Sequence, residues 1–95
     1  MKMTGFLYKN LMITMQIIDV RTKEEFEEEA VAGAMNFDIA DMMEGKMPEL
    51  PKDTEIGLHC RSGGRAGRAK EILEQNGFTN VTNLGGLDDV KKLLG

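Results

Sequence analysis

A buried strand, a glycine-rich loop and a helix are predicted in the stretch EIGLHCRSGGRAGRAKEILEQNG, residues 55–77. The apolar run before Cys60 is typical of a strand buried in a parallel sheet, so we predict a strand over residues 55–59. Apolar residues then recur at helical spacing, which predicts a helix over residues 66–76. Gly77 follows where helices end in a left-handed residue. The loop therefore begins at the carboxyl end of a strand, where ligands collect in open α/β sheets.

Cys60 is the only cysteine of the chain and the candidate nucleophile. The thiolate is the reactive form of cysteine, and a helix N-terminus or nearby arginines lower the pKa of a thiol. Gly63 and Gly64 allow the backbone to curl so that several N–H groups point inward at an anion or an extra sulfur atom. Arg61 and Arg65 add positive charge. The pattern predicts an anion-binding cup around Cys60.

The composition restricts the class of protein. A chain of 95 residues, 41% hydrophobic and 29% charged, is predicted to form one globular domain over residues 1–95. A net charge of −4 argues against a nucleic-acid partner. No apolar run has the length of a membrane span and residues 1–16 lack a secretory cleavage pattern, so we expect no membrane partner and a cytoplasmic protein. One cysteine allows no internal disulfide, and one histidine beside it argues against a structural zinc site.

The rest of the chain alternates between strand and helix patterns. An isoleucine-rich run predicts a buried strand over residues 15–20, and Thr22 with Glu25 forms a capping box that begins a helix over residues 23–29. Further predictions, in chain order, are a strand at residues 34–37, a helix around residues 39–43, a strand at residues 81–84, a turn at residues 85–86 and a helix at residues 87–94. This alternation implies an α/β fold with a parallel sheet.

Three further patterns are interpreted as structural. The glutamates of the first predicted helix form a solvated face in this interpretation; they are Glu24, Glu25, Glu27, Glu28 and Glu29. Met42, Met43 and Met47 are predicted to fill the core, with an adaptable lip over the pocket as the alternative. The two glycines at residues 85–86 are predicted to allow close backbone approach beside the cysteine loop.

Four separated motifs resemble those of the rhodanese-like sulfurtransferases, particularly small single-domain members of the phage-shock type. The motifs are IDVRT at residues 18–22 with EF at 25–26, GAMN at 33–36, CRSGGRA at 60–66 and NLGGL at 83–87. They lie within residues 17–90 in the family's order, and residues 1–14 form an atypical N-terminal segment. The resemblance implies a five-stranded parallel sheet flanked by helices, or a four-stranded sheet if the N-terminal strand is lost. Ala30 and Val90 depart from the family, in which many members have histidine and tryptophan at these positions.

The resemblance also implies a chemistry, in which a catalytic cysteine carries sulfur as a persulfide. We expect Cys60 to take sulfur from a small anionic donor such as thiosulfate and to pass it to a thiol, to cyanide or to a sulfur-accepting protein. Four residues separate Cys60 from Arg65, whereas the related phosphatase and arsenate-reductase architecture has five. The shorter loop favours a single sulfur over a tetrahedral oxyanion.

Site roles follow from this mechanism. We predict that Arg61 and Arg65 hold the oxyanion end of the donor, and that the backbone of the loop stabilises the persulfide through Ser62, Gly63, Gly64 and Arg65. Supporting roles are predicted for Asp19 and Arg21, as a structural ion pair or through hydrogen bonds that support the loop, and for Ala66. No metal and no organic cofactor is needed.

One neighbouring residue is assigned a structural role, and two alternative functions stay open beside this interpretation. His59 precedes the cysteine, but neighbouring strand residues point to opposite faces, so it is predicted to be a packed structural residue and not a base for Cys60. The protein could be a sulfur carrier that acts with a protein partner and turns over small donors poorly. An oxyanion enzyme of the phosphatase or arsenate-reductase class is the least favoured alternative.

Overall fold

The computed structural model describes residues 15–94 and, for backbone only, residues 6–8 and 11–13. The two short N-terminal segments form an antiparallel hairpin of strands β1 (Phe6–Tyr8) and β2 (Leu11–Ile13). The remainder of the predicted atypical segment, residues 1–14, lies outside the described residues.

The main sheet has four parallel strands in the order β4-β3-β5-β6. The strands are β3 (Gln16–Asp19), β4 (Met35–Asn36), β5 (Ile56–Cys60) and β6 (Val81–Gly86). The helices are α1 (Lys23–Glu28), α2 (Ile39–Met43), α3 (Gly64–Gln75) and α4 (Leu87–Leu94). The predicted α/β fold is confirmed, in its four-stranded form. In the described ranges, no helix is long and apolar enough to cross a membrane.

Local sequence signals begin and end the helices. The Thr22 side chain accepts a hydrogen bond from the N–H of Glu25 at 3.2 Å, and the Glu25 carboxylate accepts one from the N–H of Thr22 at 3.1 Å. This is the predicted capping box, and it begins α1. Asp38 caps α2 in a similar way. Gly77 follows α3 with a φ of 94°, the predicted left-handed stop.

Helices cover both faces of the sheet, and neighbouring residues of β3 show this division. Ile17 packs with Leu87 and Val90 of α4 in one core. Ile18, on the opposite face, packs in a larger core between β5, α2 and α3. Because both faces are covered, β3 and β5 are buried along their whole length, which explains their continuous apolar character.

The methionines of residues 42–47 contribute mainly to this larger core. Met42 is 2% exposed and belongs to the core, and Met47 packs against it while partly buried. Met43 is 65% exposed. The prediction of core filling is therefore confirmed for two of the three methionines and wrong for Met43.

Two predicted boundaries next to the cysteine loop are wrong. Helix α3 begins at Gly64 and not at residue 66, because Gly63 takes a left-handed φ of 102° and turns the chain directly into the helix. Strand β6 continues through Gly86, where a turn was predicted, because Gly86 still pairs with Cys60 beyond a shift in register. The earlier start of α3 shortens the cysteine loop, and the longer β6 brings a second strand against it.

Candidate active site

Cys60 is the last residue of β5, at the carboxyl edge of the parallel sheet. Only residues 61–63 separate it from the first turn of α3, so the thiol lies beneath the N-terminus of that helix. The residue is 1% exposed, and the cysteine is free. The sequence placed Cys60 at a strand end and a helix start, and the structure confirms that position.

Backbone N–H groups point at the Cys60 sulfur. The N–H of Gly63 donates to Sγ at 2.9 Å, and the N–H of Ala66 donates to Sγ at 3.4 Å. Burial raises the pKa of the Cys60 thiol, but the N–H groups of Ala66, Ser62, Gly63 and Arg65 favour the thiolate, and together they bring the pKa below its ordinary value. The predicted cup therefore exists, and it favours the reactive form of the cysteine.

Strand β6 supports the loop from the side. Ser62 pairs with Gly86 in an isolated antiparallel bridge. A Cβ on Gly86 would lie 3.0 Å from the carbonyl carbon of Arg61 and 3.1 Å from Cα of Ser62, and closer still to the Arg61 carbonyl oxygen. All three contacts are with backbone atoms, so no side chain can move aside. The predicted close approach beside the cysteine loop is confirmed.

We expect the substitution Gly86→Ala to distort the loop, because the added methyl group meets backbone that is itself hydrogen-bonded. The free energy of unfolding should fall by about 1–3 kcal/mol, the usual cost of overpacking. The rate at which iodoacetamide alkylates Cys60 should also fall, because the N–H groups around Sγ move. Urea unfolding and alkylation kinetics measure the two effects.

Gly67→Ala is the matched control for Gly86→Ala. Gly67 lies within α3, and its Cβ would meet its nearest neighbour, an Asn83 side-chain atom, at 3.4 Å. We expect this variant to unfold at the same or a slightly higher urea concentration, since alanine favours a helix. If Gly86→Ala were as stable and as reactive as Gly67→Ala, the close approach would have no structural importance.

Glu25 of α1 contacts both Arg61 in the cysteine loop and Arg65 in the first turn of α3. Arg65 donates from its two terminal nitrogens to the Glu25 carboxylate oxygens at 2.8 and 3.1 Å. Arg61 Nε donates to the same carboxylate at 3.3 Å. The Arg65 hydrogen bond holds the pKa of the Glu25 carboxyl far below its usual range. The prediction that Glu25 belongs to a solvated face is wrong, whereas the other glutamates of residues 24–29 are exposed as predicted.

Sequence reasoning missed Glu25 as a site residue. Its place in the capping box indicated an ordered carboxylate, but a partner 40 residues away had no local signal. The predicted role of Arg61 and Arg65 in holding a donor stays a prediction, and the structure adds that both already have an anionic partner.

The chain is similar in sequence and in fold to known proteins. The model of the rhodanese-like domain family matches residues 6–93. This chain belongs to that family. The predicted resemblance to small single-domain members of the phage-shock type is thereby confirmed, because a relative of this type is 39% identical to the chain.

That relative is the thiosulfate sulfurtransferase PspE of Escherichia coli K12, matched over 74 residues, which are 77% of this chain and 71% of that protein. A solved structure of a rhodanese with anions from E. coli is 36% identical, with a TM-score of 0.67 over 79% of this chain and 89% of that one. The Rhodanese_3-like domain of the Anabaena protein Alr3790 is 28% identical, with a TM-score of 0.75 over 85% and 94%. The chain is thus a member of a sulfurtransferase family.

Beneath the loop of this rhodanese-like domain, Asp19 and Arg21 form a buried ion pair. Both side chains are fully buried, with Arg21 Nη2 at 2.7 Å and Nε at 3.0 Å from the carboxylate oxygens. Arg21 Nη2 also donates to the carbonyl of Glu29 at 2.6 Å, which connects the end of α1 to β3. The predicted structural ion pair is confirmed.

His59 of the rhodanese-like domain is fully buried beside this pair. Its Nδ1 lies 3.3 Å from the carbonyl oxygen of Cys60, and its Nε2 lies 3.7 Å from Oδ2 of Asp19. The prediction that His59 is packed in the interior is confirmed. Within the described residues, no three His, Cys, Asp or Glu side chains converge as metal ligands would.

Proposed function

We propose that this protein is an enzyme that transfers sulfane sulfur from thiosulfate or a similar small anionic donor to a thiol or cyanide acceptor. One observation carries the proposal: Cys60 Sγ lies in a cup of backbone N–H groups at the junction of β5 and α3, with Gly63 N at 2.9 Å. Such a cup stabilises negative charge on sulfur, first on the thiolate and then on the persulfide that it forms. The E. coli relative, named a thiosulfate sulfurtransferase, supports thiosulfate as the donor.

The proposed reaction has two steps. The Cys60 thiolate attacks the outer sulfur of thiosulfate, so that a new S–S bond forms while the S–S bond of thiosulfate breaks and sulfite leaves with the electron pair. An acceptor thiolate or cyanide then attacks the outer sulfur of the persulfide and restores the Cys60 thiolate. The steps need no oxidant, because each nucleophile supplies the electron pair of the new bond to the sulfane sulfur and each leaving group departs with the pair of the broken bond.

The loop backbone stabilises the negative charge that lies on sulfur during this reaction. Sγ gains a sulfur atom in the first step, and the N–H groups of Ser62, Gly63, Arg65 and Ala66 remain directed at the resulting charge. Positive charge at Arg61 attracts an anionic donor to the cup.

The single free thiol is compatible with a reducing compartment, and we propose a cytoplasmic location without a nucleic-acid or membrane partner.

Intact-mass spectrometry after incubation with thiosulfate tests the proposal. We expect the protein to gain one sulfur atom that a thiol reductant removes, and subsequent cyanide to release thiocyanate. If the sulfur is gained but neither cyanide nor small thiols discharge it, the protein is a carrier that requires a protein acceptor, and the enzyme proposal fails. Absence of sulfur transfer from thiosulfate and from a low-molecular-weight persulfide, with Cys60 still open to alkylation, would overturn sulfur transfer altogether.

A further inference from the structure

Glu25 is the only side chain of α1 that contacts the cysteine loop through hydrogen bonds among the described residues. Its carboxylate also accepts from the backbone N–H and hydroxyl of Thr22, each at 3.1 Å. The Glu25 side chain is 23% exposed, so the contacts with the two arginines are partly screened from water. One carboxylate thus connects the beginning of α1 to both arginines of the loop.

The contact with Arg65 has the geometry of a clamp. Two terminal nitrogens of Arg65 meet two oxygens of Glu25, an arrangement that fixes the orientation of both groups as well as their distance. Arg65 is itself a residue of the cup, because its own N–H and that of the next residue, Ala66, favour the thiolate. Holding the Arg65 side chain therefore holds the backbone that surrounds the Cys60 sulfur.

The contact with Arg61 is of a different kind. Only Nε is engaged, at 3.3 Å, and the Arg61 side chain is 58% exposed. Among the described residues, its two terminal nitrogens have no hydrogen-bond partner. The guanidinium of Arg61 is tethered at one side and open at the other, where an anion can approach with bidentate geometry.

We infer that Glu25 is a positioning residue that gives the two arginines different roles. It clamps Arg65, which thereby orders the cup, and it leaves Arg61 as the arginine of the loop that binds the oxyanion end of the donor. The inference rests on the proposed sulfur transfer for the role of Arg61, whereas the clamp acts on Cys60 itself. It differs from the sequence-based prediction, which assigned both arginines to the donor equally.

The clamp is tested by alkylating Cys60 with iodoacetamide over a range of pH, because this measurement needs no sulfur donor. In Glu25→Gln we expect the midpoint of the rate profile to move up by about half a pH unit or more, since loosened N–H groups stabilise the thiolate less. Removal of the negative charge alone would move the midpoint down, so the sign of the shift distinguishes the two effects.

Arg65→Lys provides a second test of the clamp, because it keeps the positive charge and loses the two-pronged contact. We expect the alkylation midpoint to rise in this variant too. In the double variant Glu25→Gln/Arg65→Lys, the rise should be no larger than in the more affected single variant, since both changes break one interaction. Circular dichroism and urea unfolding verify that each variant is folded.

The role of Arg61 is tested by steady-state kinetics with thiosulfate. We expect Arg61→Gln to raise KM roughly tenfold or more, the effect of one lost charge-assisted hydrogen bond, with kcat nearly unchanged. Its alkylation profile should match that of the wild type. Glu25→Gln and Arg65→Lys should show the opposite pattern, a kcat lowered roughly tenfold with a smaller change in KM.

Two variants serve as controls. Glu24→Gln makes the same change of charge on an exposed position of α1 and should match the wild type in both measurements. Thr22→Ala removes the Thr22 hydroxyl, which caps the helix and donates to Glu25, but it keeps the Glu25 charge beside the arginines, so it should lower stability and move the alkylation midpoint much less than Glu25→Gln does.

Several outcomes would overturn the inference. A midpoint that stays in place or falls in Glu25→Gln refutes the clamp, and an Arg65→Lys variant that raises KM while its alkylation profile stays unchanged places Arg65 at the donor. A KM unaffected by Arg61→Gln refutes the assignment of Arg61. If no form of the protein accepts sulfur, the proposed function fails, yet the alkylation profiles still decide whether the clamp exists.

Discussion

Replacement of Cys60 by serine should abolish both steps of sulfur transfer. A serine hydroxyl does not ionise near neutral pH in such a site, and an oxygen in its place forms no persulfide, so the covalent route is lost. We expect thiocyanate formation from thiosulfate and cyanide to fall by a factor on the order of 10⁶, the scale of loss when the nucleophile of a covalent mechanism is removed. Mass spectrometry should find no added sulfur in Cys60→Ser.

The serine variant should fold normally, which keeps this prediction interpretable. Serine is close to cysteine in size, and the N–H groups of Gly63 and Ala66 that face Sγ can donate to a hydroxyl oxygen instead. Urea unfolding should therefore show a cooperative transition near that of the wild type. A folded Cys60→Ser protein that retained more than about one hundredth of the rate would exclude Cys60 as the nucleophile.

The largest effect on stability is expected for Asp19→Asn. Asp19 and Arg21 are fully buried and have each other as ionic partners, so a neutral asparagine leaves the Arg21 charge buried without compensation. Loss of one partner from a buried ion pair costs about 3–5 kcal/mol. In a small domain this is a large part of the total stability, and urea unfolding should show a much lower midpoint or a protein that is unfolded without urea.

Two further variants decide whether the buried charge is the cause. Asp53→Asn makes the same change at an exposed position and should alter the free energy of unfolding by no more than about 0.5 kcal/mol. Asp19→Asn/Arg21→Met removes the unpaired charge, so it should regain most of the lost stability. An Asp19→Asn protein as stable as the Asp53→Asn control would show that the ion pair contributes little.

The features that could be predicted depend on residues close in the chain. The capping box joins Thr22 and Glu25 within one helical turn, and Gly77 ends α3 because a left-handed residue costs glycine little. The buried strands β3 and β5 have continuous apolar runs, since both sheet faces are covered. Each of these signals is local, and each predicted the structure correctly.

The features that could not be predicted depend on the pairing of distant segments. Strand β6 extends to Gly86 because it pairs with Cys60 across a shifted register. Glu25 meets Arg65 only because α1 and α3 both begin at the carboxyl edge of the same sheet. Its neighbourhood, residues 23–29, in which five of seven residues are glutamate, indicated only a solvated helix face.

Residues 55–77, read in isolation, were sufficient for the strand, the loop and the helix that hold Cys60, because turns, caps and strand patterns arise from interactions between chain neighbours. The loop motif also indicated the chemical class, since a cysteine below a helix N-terminus is activated by groups a few residues away. Only the tertiary structure shows which carboxylate contacts each arginine, how Gly86 supports the loop and that the Asp19–Arg21 pair is buried. These contacts join residues whose distance is set by strand order and register, and neither quantity is encoded in any single segment.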